Sequence, residues 1–150
     1  GMHFLDAPVS GGQIGAQNGT LTTMVGGDAG ALETARPALE AFSKAITHIG
    51  GPGAGQVAKC CNQMMVAAQM AAMAELLILA RKAEVDPQKV VAAIQGGAAQ
   101  CWALDNKPQL LFAGNRQPGF KAYMQVKDLG IVMETAKELG MPLQFNNFRD

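Results

Sequence analysis

The stretch Gly51-Pro-Gly-Ala-Gly-Gln-Val-Ala-Lys59-Cys-Cys-Asn62-Gln63 leads directly into an apolar run that continues to Ala83. From Gly53 to Ala83 there is no proline, and Gly55 is the only further glycine. Alanine, methionine, leucine and glutamine dominate this segment, and all four are good helix formers. A helix of about 30 residues is about 45 Å long, enough to span a small domain. We therefore predict one long, mostly buried central helix on which the rest of the chain packs.

Three polar side chains lie near the start of this predicted helix. Lys59 is in its second turn, and Asn62 and Gln63 follow three and four residues later, a spacing that places side chains on one helix face. A partly desolvated lysine has its ammonium form disfavoured and can exchange a proton near neutral pH. The neighbouring amides can hold a substrate hydroxyl or carboxylate without adding charge. The pattern is equally compatible with a solvated lysine beside polar surface residues.

The composition indicates a soluble globular protein. A chain of 150 residues with 49% apolar residues and a mean hydropathy of +0.09 can bury a core. Twelve acidic and twelve basic residues cancel, so no overall field attracts nucleic acid or an anionic membrane. We therefore expect neither a nucleic-acid partner nor a membrane partner.

The apolar run and the cysteines fit a cytoplasmic protein. Met64 to Ala83 contains Glu75, Arg81 and Lys82, so we interpret the run as a buried helix and not as a membrane span. The cysteines are Cys60, Cys61 and Cys101. Their spacing is neither a disulfide framework nor a metal-ligand pattern, and we predict reduced, buried thiols and no metal site.

The segment before Gly50 has a mixed β/α pattern. Asp28 is a good N-cap for a helix from Ala29 to about Phe42, which could divide into two at Pro37. Three strands are predicted, at Met2 to Leu5 running into a glycine turn, Leu21 to Val25, and Ala45 to Ile49. The glycine-rich residues 11–20 are predicted to form a loop.

The segment after Gly50 is predicted to be all helix. Asp86 caps a second helix with Pro87 at its first position, ending near Gln95. Further helices are predicted over Ala98–Phe112, with a break at Asn106–Pro108, and from Tyr123 or Met124 to Leu139. The predicted fold class is α+β, mainly α, with a short three-strand β/α region followed by an all-α domain. The predicted domains are residues 1–50 and 51–150.

Two glycine motifs are candidates for binding anions. At Ser10-Gly11-Gly12, successive backbone N–H groups and a hydroxyl could receive a carboxylate, although an ordinary strand-ending turn also explains the pattern. Gly51-x-Gly53-x-Gly55 has Gln56 where a dinucleotide fingerprint needs its third glycine, and an unbroken helix follows. We reject it as a phosphate loop and predict that these glycines let another segment approach the helix closely.

The remaining candidates have structural interpretations. Asp128, next to Lys127, is predicted to offset the dipole at the start of the last helix. His3 and His48 have no sequence context for a triad or a metal. Trp102 and the methionines are predicted to be core or helix-packing residues and not a ligand-binding group; the methionines are Met64, Met65, Met70 and Met73.

Taken together, three motifs resemble the β-hydroxyacid dehydrogenase family, in the branch of 3-hydroxyisobutyrate dehydrogenase and tartronate semialdehyde reductase. They are Asp6-Ala-Pro-Val-Ser-Gly-Gly12 continuing to Leu21, Gly53-Ala-Gly55-Gln-Val-Ala-Lys59-Cys-Cys-Asn62-Gln63, and Phe120 followed by Lys127-Asp128-Leu129. The resemblance covers nearly the whole chain. It implies an oxidoreductase that uses NAD or NADP on a small hydroxyacid or semialdehyde.

The resemblance also implies site residues. Lys59 would be the general acid/base, and one of the two amides, Asn62 or Gln63, would orient the substrate. Lys127 and Phe120 would face the cofactor, with Asp128 holding the helix start. The substrate carboxylate would bind the serine-glycine loop, at Ser10, Gly11 and Gly12.

Two elements of the family pattern are absent from this sequence. The family's Gly-rich nucleotide fingerprint and its final helix are not in this sequence. Residues 1–50 therefore resemble the end of a Rossmann-type domain, and residues 51–150 a truncated helical domain. We expect this fragment to be inactive alone and to form a homodimer, through the long helix or by exchange of the strand region, since it would expose a sheet edge and apolar surface.

Two alternatives remain open. The chain could be a non-catalytic helical dimerisation module that has kept the family's appearance. It could also belong to a branch that acts on larger acids, of the 6-phosphogluconate type. That branch predicts basic residues beside the loop for a phosphate, and the stretch from Ser10 to Leu21 offers none.

Overall fold

A computed structural model of the protein describes residues 2–143. Within these residues the chain forms two compact units: one contains residues 2–63 together with 119–140, and the other contains residues 64–118 and 141–143. The strands are β1 (Leu5–Asp6), β2 (Val9–Ser10), β3 (Leu21–Gly27) and β4 (Ser43–Gly50). The helices are α1 (Gly12–Gln17), α2 (Ala29–Glu40), α3 (Ala54–Lys82), α4 (Pro87–Ile94), α5 (Trp102–Asn106), α6 (Pro108–Phe112) and α7 (Ala122–Glu138). The predicted class, α+β and mainly α, is confirmed.

The sheet of the first unit is built around β3. β1 and β2 pair with it in antiparallel fashion along one edge, and β4 pairs in parallel along the other. Thr23 and Ser43 share a buried hydroxyl hydrogen bond of 2.6 Å between these strands. His48 Nε2 lies 2.8 Å from the carbonyl oxygen of Gly27, which agrees with its predicted structural role.

The first predicted strand is in fact two strands. Residues 7 and 8 separate β1 from β2, because Pro8 has no N–H with which to continue a ladder. The Pro8 carbonyl still accepts a hydrogen bond of 3.0 Å from the backbone N–H of Met24. The sheet therefore has four strands instead of the three predicted.

The predicted loop over residues 11–20 contains a short helix, α1. Gly11 and Gly12 take positive φ values of 128° and 62°, which turn the chain from β2 into α1. Gly15 lies inside α1 against Leu21, and a Cβ atom there would be 3.0 Å from Leu21 Cδ2. The glycines therefore serve a tight packing contact as well as a turn.

The helix boundaries follow local signals. Asp28 and Asp86 cap α2 and α4 by accepting backbone N–H groups at 2.8 and 2.9 Å, as predicted. α2 continues through Pro37 without dividing. The helix predicted from Ala98 begins only at Trp102, and it breaks before Pro108 as predicted.

α3 is less buried than predicted. Its buried residues are Gly55, Gln63, Ala67, Met73 and Ala80. Several large apolar side chains are exposed instead: Val57, Met65, Met70, Ile78 and Leu79. The prediction of a mostly buried helix is therefore wrong for this chain. The apolar side chains of α3 point in all directions around its axis, whereas the other described residues cover only part of its surface.

By length and composition alone, α3 could cross a membrane. An 18-residue window has a mean hydropathy of 1.6, and 22% of that window is buried. Core helices of soluble proteins have the same composition and length, so this property alone does not indicate a membrane span.

The second unit has its own apolar core. Met73, Val91 and Leu104 form it, and five partly buried side chains pack against them, Leu76, Leu77, Ile94, Cys101 and Phe112. The other predicted core residues behave differently. Met65, Met70 and Trp102 are exposed, and the Lys107 ammonium lies 5.0 Å from the centre of the Trp102 ring. The prediction of buried cysteines is also wrong, because Cys61 is exposed and Cys60 and Cys101 are only partly buried.

Candidate active site

Lys59 lies against the strand that carries Ser10. Its Nζ donates a hydrogen bond of 2.8 Å to the carbonyl oxygen of Val9, the residue before Ser10. Burial lowers the pKa of Lys59; the carboxylate of Asp128 acts in the opposite direction, and the charge of Lys127 adds to the lowering. The lysine is therefore held beside the serine-glycine loop and is partly withdrawn from water.

The loop itself is open to solvent. Ser10 is half-buried at the end of β2, and Gly11 and Gly12 are exposed. Gly12 opens α1, so the first N–H groups of that helix have no acceptor within it. Apart from its chain neighbours and the backbone of its own helix, no atom of the described residues lies within 4 Å of the position that a Cβ of Gly12 would take. The loop therefore presents one hydroxyl and several backbone donors next to Lys59.

The two predicted amides have different environments. Gln63 is buried, with 5% of its surface exposed. Its Nε2 donates to Oδ2 of Asp128 at 2.6 Å, and its Oε1 accepts from Nδ2 of Asn62 at 2.7 Å. Gln125 Nε2 donates to the backbone carbonyl of Gln63 at 3.1 Å. Both ends of the Gln63 amide are thus occupied, while Oδ1 of Asn62 has no hydrogen-bond partner among residues 2–143.

The predicted role of Asp128 at the helix start is wrong. α7 begins at Ala122 with Lys121 in the cap position, so Asp128 lies in the second turn, where it accepts from Gln63. Lys127 forms an ion pair with Asp128, and 65% of its side chain is exposed. Phe120 precedes α7 and is half-exposed. Lys127 and Phe120 are therefore accessible to a ligand.

The start of α3 is occupied by a carboxylate of the protein itself. Asp6 accepts hydrogen bonds from the backbone N–H groups of Gly53 and Gln56, at 2.7 and 2.9 Å. Burial alone would raise the pKa of Asp6, but the backbone hydrogen bonds, from Gly53 and Gln56 first, outweigh it and lower the pKa. These donors are not available to a phosphate. The position of Asp6 therefore agrees with the rejection of a phosphate loop at Gly51–Gly55.

The structure also confirms the predicted close approach at this turn. A Cβ on Gly55 would lie 2.5 Å from the carbonyl oxygen of Met24 and 2.7 Å from Oδ2 of Asp6. The role of Asp6 was missed in the sequence. Its partners are 47 and 50 residues away, and no local pattern indicates such a contact.

Two family models and several curated proteins match this chain. The family model described as NAD-binding of NADP-dependent 3-hydroxyisobutyrate dehydrogenase matches residues 53–148, and the model described as NAD binding domain of 6-phosphogluconate dehydrogenase matches residues 1–50. The 2-hydroxy-3-oxopropionate reductase of Escherichia coli is 43% identical over 143 residues, which cover 95% of this chain and 49% of that protein. A probable 3-hydroxyisobutyrate dehydrogenase of Mycobacterium tuberculosis is 42% identical over 147 residues, covering 93% and 50% of the two chains.

A solved structure shares the fold. The 3-hydroxyisobutyrate dehydrogenase of Mycobacterium tuberculosis, solved with L-serine, superposes with a TM-score of 0.87 at 40% identity, covering 95% of this chain and 51% of that chain. The chain thus spans about half the length of the curated relatives it matches. Because one family model matches well over half of its residues, this chain belongs to the 3-hydroxyisobutyrate dehydrogenase family of NAD(P)-binding oxidoreductases.

Proposed function

We propose that this chain provides the substrate-binding loop and the catalytic lysine of an NAD(P)-dependent oxidoreductase. Its substrates are small β-hydroxyacids of the 3-hydroxyisobutyrate or tartronate semialdehyde type. The main support is the hydrogen bond from Lys59 to the Val9 carbonyl, which keeps the ammonium one residue from Ser10. The substrate carboxylate binds Ser10, Gly11 and Gly12, and the substrate hydroxyl lies at Lys59.

Lys59 moves the proton in this proposal. In the oxidation direction, the neutral amine takes the hydroxyl proton while hydride leaves the same carbon, which becomes a carbonyl. In the reverse direction the ammonium returns the proton to the carbonyl oxygen. A lowered lysine pKa raises the fraction of neutral amine near pH 7, which suits a general base. NAD or NADP, when bound, accepts or supplies the hydride.

Two exposed side chains fit the nicotinamide end of such a cofactor. The ring of Phe120 can stack on an aromatic ring, and the ammonium of Lys127 can pair with a phosphate or bind a ribose hydroxyl. The start of α3 does not fit a pyrophosphate, because Asp6 already uses its N–H groups. We infer that this chain does not turn over substrate by itself.

We also propose the domain division and the assembly. Residues 1–50 form the end of a Rossmann-type domain and residues 51–150 a helical domain; the two family models, which meet between residues 50 and 53, support this division. The exposed apolar side chains of α3 support a homodimer. Its proposed location is the cytoplasm, without nucleic-acid or membrane partners.

A chimeric enzyme tests the proposal. The nucleotide-binding half of the Escherichia coli reductase is joined to this chain, and NADPH oxidation with tartronate semialdehyde is followed. We expect turnover by the chimera and none by the chain alone; turnover by the chain alone would contradict its predicted inactivity. Lys59→Ala should lower kcat by about 10²- to 10⁴-fold. Lys82→Ala, at the exposed end of α3, is the matched control and should leave kcat unchanged.

The alternative, a non-catalytic dimerisation module, is favoured by the exposed apolar residues of α3. It predicts that Lys59→Ala changes neither activity nor assembly. The same chimera therefore decides between the two functions.

A further inference from the structure

We propose that Asp6 is a positioning residue for Lys59. Its carboxylate joins the first turn of α3 to the chain segment whose Val9 carbonyl receives the Lys59 ammonium. The inference depends on the proposed function, in which Lys59 carries the proton, and it adds a residue that acts through Lys59 without touching the substrate.

Asp6 replaces a missing helix cap. The residue before α3 is Gly53, whose carbonyl accepts the N–H of Val57 at 3.1 Å and which has no side chain to cap the helix. Asp6 accepts the N–H groups of Gly53 and Gln56 from a distant strand. In most helices a local side chain of the cap residue satisfies such a group. Here the cap also fastens α3 to β1.

Two glycines leave space for this carboxylate. Asp6 is 7% exposed, and Gly26 and Gly55 both lie directly against its carboxylate. A Cβ on Gly26 would collide with the Asp6 carboxylate and come within 2.8 Å of the Gly55 nitrogen. The carboxylate therefore occupies one closely fitted position between β3 and α3.

The same two segments meet a second time at Lys59. Lys59 lies three residues after Gln56, so both are on one face of α3. Val9 lies three residues after Asp6, and the ring of Pro8 restricts the chain between them. Asp6 thus joins the first turn of α3 to β1, and the hydrogen bond from Lys59 to Val9 joins the same two segments three residues further along each of them. Loss of the anchor should loosen that bond and admit water to the ammonium.

The sign of the effect on Lys59 distinguishes positioning from charge. The charged side chains that act on Lys59 are Asp128 and Lys127, both on α7, and burial is the largest cause of its lowered pKa. If Asp6 positions Lys59, its removal exposes the lysine and raises the lysine pKa. If Asp6 acted through its negative charge, its removal would lower that pKa, because a carboxylate stabilises an ammonium.

The test is the titration of Lys59 in the chain as it is. Lysine is labelled with carbon-13, the Cε signal of each lysine is followed by NMR against pH, and Lys59→Arg identifies the Lys59 signal. We expect Asp6→Ala to raise the Lys59 pKa, and Asp6→Asn to raise it less because the amide keeps one acceptor oxygen. Asp28→Ala removes the capping carboxylate of α2 and should leave the Lys59 pKa unchanged.

An unchanged or lowered Lys59 pKa in both Asp6 variants would overturn the proposal. If the amide hydrogen of Gln56 exchanged faster in these variants while the Lys59 pKa did not rise, Asp6 would be a helix cap and not a positioning residue. Asp6→Asn preserves the side-chain volume and decides the question if Asp6→Ala does not fold. The titration requires no turnover. An inactive chimera would therefore contradict the proposed function and leave the result for Asp6 standing.

Discussion

Gln63 Nε2 donates a hydrogen bond of 2.6 Å to Oδ2 of Asp128, and this bond joins α3 to α7 in the first unit. Only 15% of the Asp128 side chain is exposed. Water therefore has little access to this carboxylate, and the Gln63 amide supplies the hydrogen-bond donor instead. Gln63 also accepts from Asn62. Both polar atoms of the Gln63 amide therefore have partners within the protein, and these hydrogen bonds hold α3, α7 and Asn62 together.

Gln63→Ala should therefore reduce stability. The substitution leaves Oδ2 of the largely buried Asp128 carboxylate without its amide donor, while Oδ1 keeps its ion pair with Lys127. Loss of a partner at such an atom costs about 1–3 kcal/mol. Urea unfolding followed by circular dichroism measures the change in free energy. Gln109→Ala, on the exposed face of α6, is the control and should change it by about 0.5 kcal/mol or less. An equal, small effect of both substitutions would contradict the structural role.

Asn62→Ala should instead affect the substrate. Its Oδ1 has no partner among residues 2–143, so it can accept the hydrogen of a substrate hydroxyl that does not react, such as the hydroxyl next to the aldehyde in tartronate semialdehyde. In the chimeric enzyme we expect a higher KM and a lower kcat/KM, by about 10-fold for the loss of one hydrogen bond. The measurement is steady-state kinetics with tartronate semialdehyde. Wild-type kinetics in this variant would mean that neither amide orients the substrate through its side chain.

Contacts between residues close in the sequence could be predicted, and most contacts between distant residues could not. The caps at Asp28 and Asp86 could be predicted because each binds an N–H within three residues. The resemblance placed Lys59 and Ser10 in one site, and their neighbourhood through Val9 agrees with it. The different hydrogen-bond partners of Asn62 and Gln63 could not be predicted, because those of Gln63 include Asp128, 65 residues away.

The burial of α3 could not be predicted from local sequence patterns either. The composition of α3 predicts a buried helix, but burial depends on what surrounds it, and Ile78 and Leu79 remain exposed. α1 was missed because Gly11, Gly12 and Gly15 disfavour a helix, and the contact of Gly15 with Leu21 is tertiary. Tertiary packing overrides propensity at such positions.

Asp6 should make stability depend on acid pH. Its pKa is lowered in the folded state, so its contribution is complete above the unfolded value of about 3.9 and is lost as the pH falls through the folded value. Asp6→Asn cannot be protonated in this way. The difference in unfolding free energy between the wild type and Asp6→Asn should shrink as the pH falls below about 4. Urea titrations over a pH series measure it, and a constant difference would contradict the prediction.

Gly55 and Gly130 should respond oppositely to alanine. Both lie within helices, but a Cβ on Gly55 meets the Met24 carbonyl and Asp6. A Cβ on Gly130 of α7 has no atom of the described residues within 4 Å, apart from its chain neighbours and the backbone of its own helix. Gly55→Ala should destabilise the protein by about 1–3 kcal/mol through overpacking. Gly130→Ala should stabilise it by about 0.5–1 kcal/mol, because alanine loses less backbone freedom. Thermal unfolding compares the two, and a stable Gly55→Ala variant would contradict the close approach.

The exposed side of α3 should mediate self-association. Ile78 and Leu79 are 59% and 70% exposed, and a second copy of the chain would remove this apolar surface from water. We expect a dimer in sedimentation velocity and a shift towards monomer in Leu79→Lys. Leu139→Lys, at a residue 71% exposed beyond the end of α7, is the matched control and should remain dimeric. A dimer that survives Leu79→Lys would indicate exchange of the strand region instead, and a monomeric wild type would contradict the assembly altogether.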